Sequence, residues 1–336
     1  MYPRLTVDLA KLQHNMASIV EMCRPFGTAV IGVTKVCGGR PDVARAFLAA
    51  GAVGLADARL ANLKRLRQAG LEAPLILLRS PALSVVSEVV ETVQISANSE
   101  PVVLKALSEA AGARGLEHQV LLMVDLGELR EGVWEDELQN LYTYARSLPN
   151  LTVWGIGANF ACLNGDAPTP EYFQRLVDLT KACGDPNLRI SGGNSSALHV
   201  MRCGQWSGTW TSLINNLRIG ESAFLGWDIV DKTPLPGCCQ DVCRLLAEVI
   251  EVQVKPTPQS RRQRAVVALG RQDIGAGRVW PISAGMEVVG VTSDHLVLEV
   301  GSAAQLKVGS VVTFAVDYGA LLGLFTSPYV TKDAHR

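Results

Sequence analysis

Short apolar segments alternate with longer amphipathic ones through the first two thirds of the chain, and this alternation restricts the possible folds more than any other feature. Segment 30–33 is apolar and β-branched on both faces, as buried parallel strands are, whereas 40–50 has the apolar spacing of a helix. About eight such strand–helix pairs are typical of a TIM (β/α)8 barrel rather than of a doubly wound sheet. The predicted strands of this α/β barrel are 30–33, 53–57, 75–79, 93–97, 119–124, 153–158, 189–191 and 217–220.

The pattern changes at Pro234-Leu235-Pro236-Gly237, where the barrel segments stop. Beyond this point, short apolar runs separated by Gly, Pro and Asp predict a small all-β domain. We therefore assign residues 1–233 to the barrel and 234–336 to the β domain, with residues 1–8 as an alternative addition to the β domain. The basic stretch 256–264 is interpreted as a solvated hairpin rather than a phosphate or nucleic-acid contact. The predicted strands are 245–254, 265–269, 286–291, 296–300 and 311–316.

Composition excludes several classes of partner. A net charge of -1 over 336 residues favours neither nucleic acid nor a membrane surface as a partner. The first residues lack the apolar core of a signal peptide, and no apolar run reaches the roughly 18 residues of a membrane span, so a cytoplasmic protein is predicted. Eight irregularly spaced cysteines indicate reduced thiols. Cys238, Cys239 and Cys243 lack a nearby fourth ligand, and no metal site is predicted.

Four groups of polar residues follow predicted barrel strands. Lys35 follows the first, the sequence 125–130 with Arg130 follows another, Gly192-Gly193-Asn194-Ser195-Ser196 precedes a helix, and Arg218 stands two residues before Gly220. The carboxyl ends of barrel strands carry the chemistry in this fold, and glycines with hydroxyls before a helix suit an anion. Three of the groups have a simpler interpretation. Lys35 could be a solvated lysine, the segment 192–196 could be an ordinary glycine turn, and Arg218 could form a surface ion pair with Glu221. Together they predict a site for a cofactor that carries phosphate and an aldehyde.

These residues resemble the fold-type III pyridoxal phosphate (PLP) enzymes, specifically the alanine racemase group and within it the alanine/ornithine racemase subfamily. The resemblance covers nearly the whole chain. Its motifs are Tyr2-Pro3-Arg4-Leu5-Thr6-Val7-Asp8-Leu9, His14-Asn15, Val33-Thr34-Lys35, Asn194-Ser195 and Arg218-Ile219-Gly220, with Gly270-Arg271-Gln272-Asp273-Ile274, Ser293-Asp294-His295-Leu296, Tyr318-Gly319-Ala320-Leu321-Leu322 and Thr326-Ser327-Pro328-Tyr329-Val330 for the subfamily.

The resemblance implies a role for each matched position. Lys35 would hold PLP as the internal aldimine and act as one racemisation base. Arg218 would face the pyridine nitrogen, and Arg130 would lie beside the phenolic oxygen and the substrate carboxylate. The phosphate would be bound by Asn194, Ser195, the amides of Gly220 and Glu221, and Tyr329.

The chain departs from the alanine racemase pattern at three functional positions. Asn159 replaces a histidine near the ring, and Met123 replaces a lysine that is carbamylated in many members. The tyrosine that serves as the second base has no counterpart. Racemisation needs an acid on each face of Cα, so another residue must replace it. His295 is the first choice because its ordinary pKa of about 6.5 suits both directions of transfer, followed by Asp273 and then by Tyr318 and Cys37. A histidine satisfied by Asp294 is the alternative.

The resulting prediction is a PLP-dependent amino-acid racemase acting on a basic substrate, ornithine or lysine. Gly39 stands where alanine racemases place a bulky tyrosine, which would enlarge the pocket. The acid that holds a side-chain ammonium stays open among Asp228, Asp231 and Asp273. A head-to-tail homodimer with composite sites is implied, so that His295 and Asp273 would act in trans.

Four alternatives were weighed against this prediction. The first is an alanine racemase. A fold-type III decarboxylase would need a carboxylate in place of Arg218. A non-catalytic PLP carrier resembles the barrel alone, and a zinc-dependent lyase would need a His/Cys pair near the C-terminus.

Overall fold

Eight parallel strands close into a barrel, in agreement with the predicted fold class. The computed structural model describes residues 1–163, 165–256, 261–301 and 305–335. In chain order the strands are β1 (Arg4–Asp8), β2 (Ala29–Val33), β3 (Gly54–Asp57), β4 (Leu75–Leu77), β5 (Ile95–Asn98), β6 (His118–Met123), β7 (Leu151–Gly157), β8 (Arg189–Ser191), β9 (Asn216–Ile219), β10 (Cys243–Pro256), β11 (Arg261–Val267), β12 (Val279–Pro281), β13 (Met286–Val291), β14 (Leu296–Val300), β15 (Val311–Val316) and β16 (Thr331–His335). The barrel consists of β2 to β9.

The helices follow the same alternation. They are α1 (Leu9–Cys23), α2 (Pro41–Ala49), α3 (Leu60–Gln68), α4 (Val86–Thr92), α5 (Pro101–Gly112), α6 (Leu138–Ser147), α7 (Pro170–Ala182), α8 (Ala197–Arg202), α9 (Glu221–Leu225), α10 (Arg271–Ile274) and α11 (Tyr318–Thr326). Asp8 caps α1 as its position predicts, because its Oδ1 accepts a hydrogen bond from Lys11 N at 2.9 Å. Short 3-10 turns stand at Arg24–Phe26, Lys35–Cys37, Leu83–Val85, Glu135–Glu137 and Thr211–Leu213.

The chain divides into two compact units. One comprises Gln13–Lys35 and Gly39–Cys238, and the other comprises Met1–Leu12, Val36–Gly38 and Cys239–Arg336. In the first unit, apolar side chains from the consecutive barrel strands β2 to β6 form a buried cluster, as expected of strands in a closed sheet. Its members are Ile31, Val33, Ala56, Ile76, Ile95, Ala97, Leu121 and Met123.

The second unit is built on a mostly antiparallel sheet in the order β12-β15-β10-β11-β14-β13. The N-terminal strand β1 belongs to it, since β1 pairs antiparallel with β10 and parallel with β16. Strands β10 and β11 pair from Val249 to Pro256, and the tip of the predicted basic hairpin, 257–260, lies outside the described residues. The nine-residue helix α11 also lies in this unit.

Two further features bear on the sequence predictions. None of the eight cysteines, all of which lie in the described residues, forms a disulfide, which agrees with the predicted reduced thiols. Within the described ranges, no helix combines the length and apolarity needed to cross a membrane.

A buried histidine in the barrel makes stability depend on pH. The Nε2 of His118 lies 2.8 Å from Ser96 Oγ, and burial lowers the pKa of His118 from 6.5 to about 4, although a hydrogen bond with the Val93 backbone opposes this. The unfolded chain therefore binds more protons than the folded chain between these values. Stability contributed by neutral His118 is fully present above pH 6.5 and declines as pH falls to about 4.

We expect the free energy of unfolding to fall by about 2–3 kcal/mol between pH 7 and pH 4.5 through this residue alone. Urea unfolding of the wild type and of His118→Gln at both pH values measures it, with the exposed His335→Gln as the control. An equal pH dependence in all three proteins would contradict this assignment.

Candidate active site

Lys35 directly follows the end of β2, in the 3-10 turn Lys35–Cys37. Its side chain is exposed, and its ammonium makes no hydrogen bond or ion pair with the described part of the chain. Most lysines near carboxylates form ion pairs, so an amine left unpaired at the chemical rim of a barrel is available to react. The predicted reactive residue is thus at the expected place.

A buried carboxylate anchors the turn that carries Lys35. Asp57, at the end of β3, accepts hydrogen bonds from Thr34 Oγ1 at 2.8 Å, from Arg59 N at 2.9 Å and from Asn62 Nδ2 at 2.9 Å. Burial raises the pKa of Asp57, and these hydrogen bonds oppose the rise. Sequence reasoning missed Asp57, although its place at a strand end was the available signal.

Gly39 completes the same turn. Its amide donates to Thr34 O at 3.2 Å, its φ is +65°, and a Cβ there would lie 2.7 Å from Asn62 Cβ. A side chain at this position would require the neighbouring helix to move. The positive φ and the close approach of Asn62 therefore require a glycine at this position.

Arg218 is a buried cation bound by neutral groups. Its side chain is in β9 and the residue is 4% exposed. It donates to Ser191 O at 3.2 Å, to Ser191 Oγ, to Ala158 O at 2.6 Å and to Asn159 Oδ1 at 2.9 Å. Burial lowers the pKa of Arg218 to about 10, so the guanidinium stays charged at neutral pH. A buried charge without a direct carboxylate partner suits a ligand that offers a lone pair or negative charge.

Arg130 lies on a loop that Asp125 organises at the end of β6. The carboxylate of Asp125 accepts hydrogen bonds from Gly127 N at 2.9 Å, Leu129 N at 3.2 Å and Arg130 N at 2.8 Å. The guanidinium of Arg130 pairs with Glu131 at 2.9 Å. Sequence reasoning identified Arg130 and did not identify Glu131, whose only signal was its place beside Arg130.

Three predicted cations act electrostatically on the thiol of Cys162. Partial burial raises the pKa of Cys162, while Arg130, Lys35 and Arg218 each act to lower it. Geometry also brings these cations together, because Lys35 follows β2, which pairs with the Arg218 strand β9, and Arg218 is connected to Arg130 through Asn159 and Glu131.

The predicted phosphate cradle is formed by the loops after β8 and β9. Ser195 Oγ accepts from the amides of Gly220 and Ser222, both at 3.4 Å, and Ser222 Oγ is buried with no partner among the described residues. Long hydrogen bonds and an orphaned hydroxyl are satisfied when a phosphate accepts from these donors. The residues present therefore fit the phosphate of PLP. Ser222 was not identified from the sequence.

Asn194 and Glu221 flank this cradle. Asn194 Nδ2 donates to Phe160 O at 2.9 Å and its Oδ1 accepts from Ser196 N at 3.0 Å, so the amide holds the loop in shape. Glu221 is half-buried and begins α9.

Three other predicted residues lie in the second unit. Asp273 is buried, and its carboxylate accepts from Gly270 N at 3.0 Å and Ser327 Oγ at 3.4 Å. His295 has a side chain 44% exposed, with Nδ1 3.2 Å from Asp294 Oδ1. Tyr329 is 65% exposed.

One cluster resembles a metal site, with ligand atoms of His199, Asp228 and Asp231 within 4.8 Å of one another. However, Arg202 Nε donates to Asp228 at 2.7 Å, and the same guanidinium pairs with Asp231. His199 Nδ1 lies 2.9 Å from Asp228. The carboxylates are thus already neutralised by a cation, and the group is an ion-pair network that ties α8 to the segment after α9.

Comparison with known proteins identifies the family. The model of the alanine racemase N-terminal domain matches residues 7–225. The chain belongs to the alanine racemase family. This family is generally PLP-dependent. The resemblance inferred from the sequence motifs is therefore confirmed.

Family members similar over the full length have named activities. The chain is 35% identical to a lysine racemase of Thermotoga maritima over 99% of this chain and 98% of that one. It is 34% identical to an ornithine racemase of Acetoanaerobium sticklandii, covering 99% of each. An alanine racemase structure from E. faecalis matches with a TM-score of 0.75 at 19% identity, covering 99% of this chain and 98% of that chain, which shows the shared fold.

Asp57 provides a stability test of the site. We expect Asp57→Ala to lower the free energy of unfolding by about 1–3 kcal/mol, because three donors lose their acceptor, and to lower activity by loosening the Lys35 turn. Asp57→Asn retains one acceptor oxygen and should lose less. Urea unfolding measures both, with the exposed Asp136→Ala as the control. Equal stability of Asp57→Ala and the control would refute the anchoring role.

Proposed function

We propose that this protein is a PLP-dependent racemase that interconverts the L and D forms of a basic α-amino acid, ornithine or lysine. The observation that carries the proposal is that Lys35, whose amine makes no bond within the described residues, follows β2, while the buried Arg218 lies on the neighbouring barrel strand β9. The full-length similarity to a lysine racemase and an ornithine racemase supports the basic substrate, with alanine as the alternative. We further propose a cytoplasmic homodimer.

PLP supplies an aldehyde that takes up an amino group and a ring that withdraws electrons from the α-carbon. Lys35 would hold the cofactor through its amine, and its freed amine would then hold or move a proton at one face of Cα. The phosphate would be held by the amides of Gly220 and Glu221 with Ser195, by Ser222, and by Tyr329. Asn194 would keep the cradle loop in place.

Arg218 directs the outcome toward racemisation. A cation facing the pyridine nitrogen disfavours protonation of that nitrogen, which limits electron withdrawal from Cα. Return of a proton to Cα would then be favoured over side reactions such as transamination. A decarboxylase of this fold would need a carboxylate at this position, and the four groups that Arg218 contacts are neutral.

The opposite face of Cα needs a second acid–base group, for which we propose His295 ahead of Asp273. Asp273 uses both carboxylate oxygens inside its own unit, whereas His295 is exposed and its Nε2 makes no hydrogen bond with the described residues. An imidazole side chain can both donate and accept a proton close to neutrality. In the proposed dimer, His295 acts on the Lys35 site of the other subunit.

The function itself is tested by the fate of the α-proton. Purified protein with PLP, incubated in D2O with L-ornithine, L-lysine or L-alanine, should yield the D enantiomer with deuterium at Cα. Lys35→Ala should abolish this exchange and the borohydride-reducible cofactor, because no other amine in the site replaces it. The surface variant Lys64→Ala, whose lysine pairs with Glu88, is the control. A covalent adduct retained on another lysine would refute the role of Lys35, and exchange with alanine alone would refute the basic substrate.

The second base and the dimer are tested together by complementation. We expect His295→Ala to slow racemisation by roughly 10²–10⁴, the usual contribution of general acid–base catalysis. Mixing it with inactive Lys35→Ala should restore activity, because heterodimers contain one intact composite site. Asp273→Asn mixed in the same way separates the two candidates. If subunits exchange and no activity returns, the arrangement in trans is wrong for these residues.

A further inference from the structure

A chain of hydrogen bonds connects the two arginines of the site through two side chains that have no assigned role. Arg218 Nη2 donates to Asn159 Oδ1 at 2.9 Å, and Asn159 Nδ2 donates to Glu131 Oε1 at 3.0 Å. The same Glu131 oxygen forms an ion pair with Arg130 Nη1 at 2.9 Å. The order is therefore cation, amide, anion, cation.

The amide of Asn159 has one favourable orientation in this chain. Its carbonyl oxygen faces a guanidinium, which only donates, and its amino group faces a carboxylate, which only accepts. A flip of the amide would break both contacts. Asn159 therefore bridges Glu131 and Arg218 and couples the position of the guanidinium to that of the carboxylate.

Glu131 is a suitable fixed point because its backbone is tightly held. The segment after β6 folds back on the strand end, where Asp125 N donates to Val133 O at 2.9 Å and Val133 N donates to Met123 O at 2.9 Å. Gly132 has φ +130°, and a Cβ there would lie 2.6 Å from Asp125 N. A residue next to such a close backbone contact has little freedom to move.

Arg130, in contrast, needs an external restraint. Its side chain is 37% exposed, and a long arginine side chain without a partner samples many rotamers. Two cations near one another also repel, and Glu131 supplies the negative charge that lies between Arg130 and Arg218. Without it, Arg130 would turn toward solvent.

We propose that Glu131 is a positioning residue of the racemase site, which fixes Arg130 directly and Arg218 through Asn159 so that Arg130 is ready to receive the substrate carboxylate. This inference rests on the proposed function. Loss of Glu131 should therefore raise KM more than it changes kcat. The reason is that a pre-oriented Arg130 lowers the free-energy cost of substrate binding more than it affects the proton transfers at Cα.

The test compares Glu131→Gln and Glu131→Ala with the control Glu135→Gln, whose glutamate pairs with Arg175 at the surface. For both Glu131 variants we expect KM to rise about tenfold or more with a much smaller change in kcat. The affinity for pentanoate, an ornithine analogue without amino groups, should fall by a similar factor in a calorimetric titration. The affinity for PLP and the thermal midpoint should stay close to those of the control, since the phosphate cradle does not involve Glu131.

A double-mutant cycle separates positioning from a merely structural effect. If Glu131 acts through Arg130, then Glu131→Ala should add less than twofold to the loss of pentanoate binding already caused by Arg130→Ala. The inference would be overturned if the losses of pentanoate affinity in the two single variants were fully additive. It would also be overturned if Glu131→Gln bound pentanoate as the wild type does, or if lowered thermal stability explained the loss.

The proposed function and the inference can fail separately. A wild type that binds PLP but does not racemise would refute the function, while the pentanoate cycle would still decide the role of Glu131. A wild type that racemises with Glu131 variants unchanged would refute only the inference. Absence of PLP binding by the wild type would overturn both.

Discussion

Lys35 and Arg218 are neighbours only because the parallel sheet closes on itself. Strand β2 pairs with β9 in the register Ile31 to Arg218 and Gly32 to Ile219. All eight strands run in the same direction, so their carboxyl ends meet at one rim. The amine after β2 and the guanidinium on β9 are thereby presented to the same space. Arg130 and Ser195 follow two other strands of the same barrel, β6 and β8.

Two kinds of force hold the site. The strands below it are held by apolar packing of residues such as Leu121 and Ile76, which does not depend on pH. The loops above it are held by hydrogen bonds to buried carboxylates, including Glu128, which accepts from Cys162 N at 3.0 Å and from Leu163 N at 2.8 Å. Charged acceptors give short, directional bonds and fix a loop more firmly than apolar contacts of similar area do.

The regular elements could be predicted closely because their residues carry periodic patterns. Strands 286–291, 296–300 and 311–316 were predicted with the boundaries that the structure shows. Helix α4 was not predicted, because its valine-rich sequence is dense in β-branched residues that disfavour a helix in isolation. Helix α11 was missed because it is apolar on nearly all sides and thus has no amphipathic signal.

The cationic residues of the site could be predicted from the sequence. The residues that hold them in place mostly could not. Lys35, Arg130 and Arg218 each follow or occupy a strand end, a position that can be counted along the sequence. Asp57 and Glu131 bond to Thr34 and Asn159, which lie 23 and 28 residues away in the chain, and no local pattern distinguishes these acids from ordinary surface residues. Such pairings depend on loop paths that periodicity does not encode.

The placement of β1 has a consequence for the order of events during synthesis. This first strand pairs with β10 and with β16, the last strand of the chain. On a ribosome, the barrel strands from β2 to β9 emerge long before either partner of β1 exists, and domains tend to fold as they emerge. The barrel can therefore form while both edges of β1 are still unpaired, and the β domain completes its sheet only once β16 has emerged.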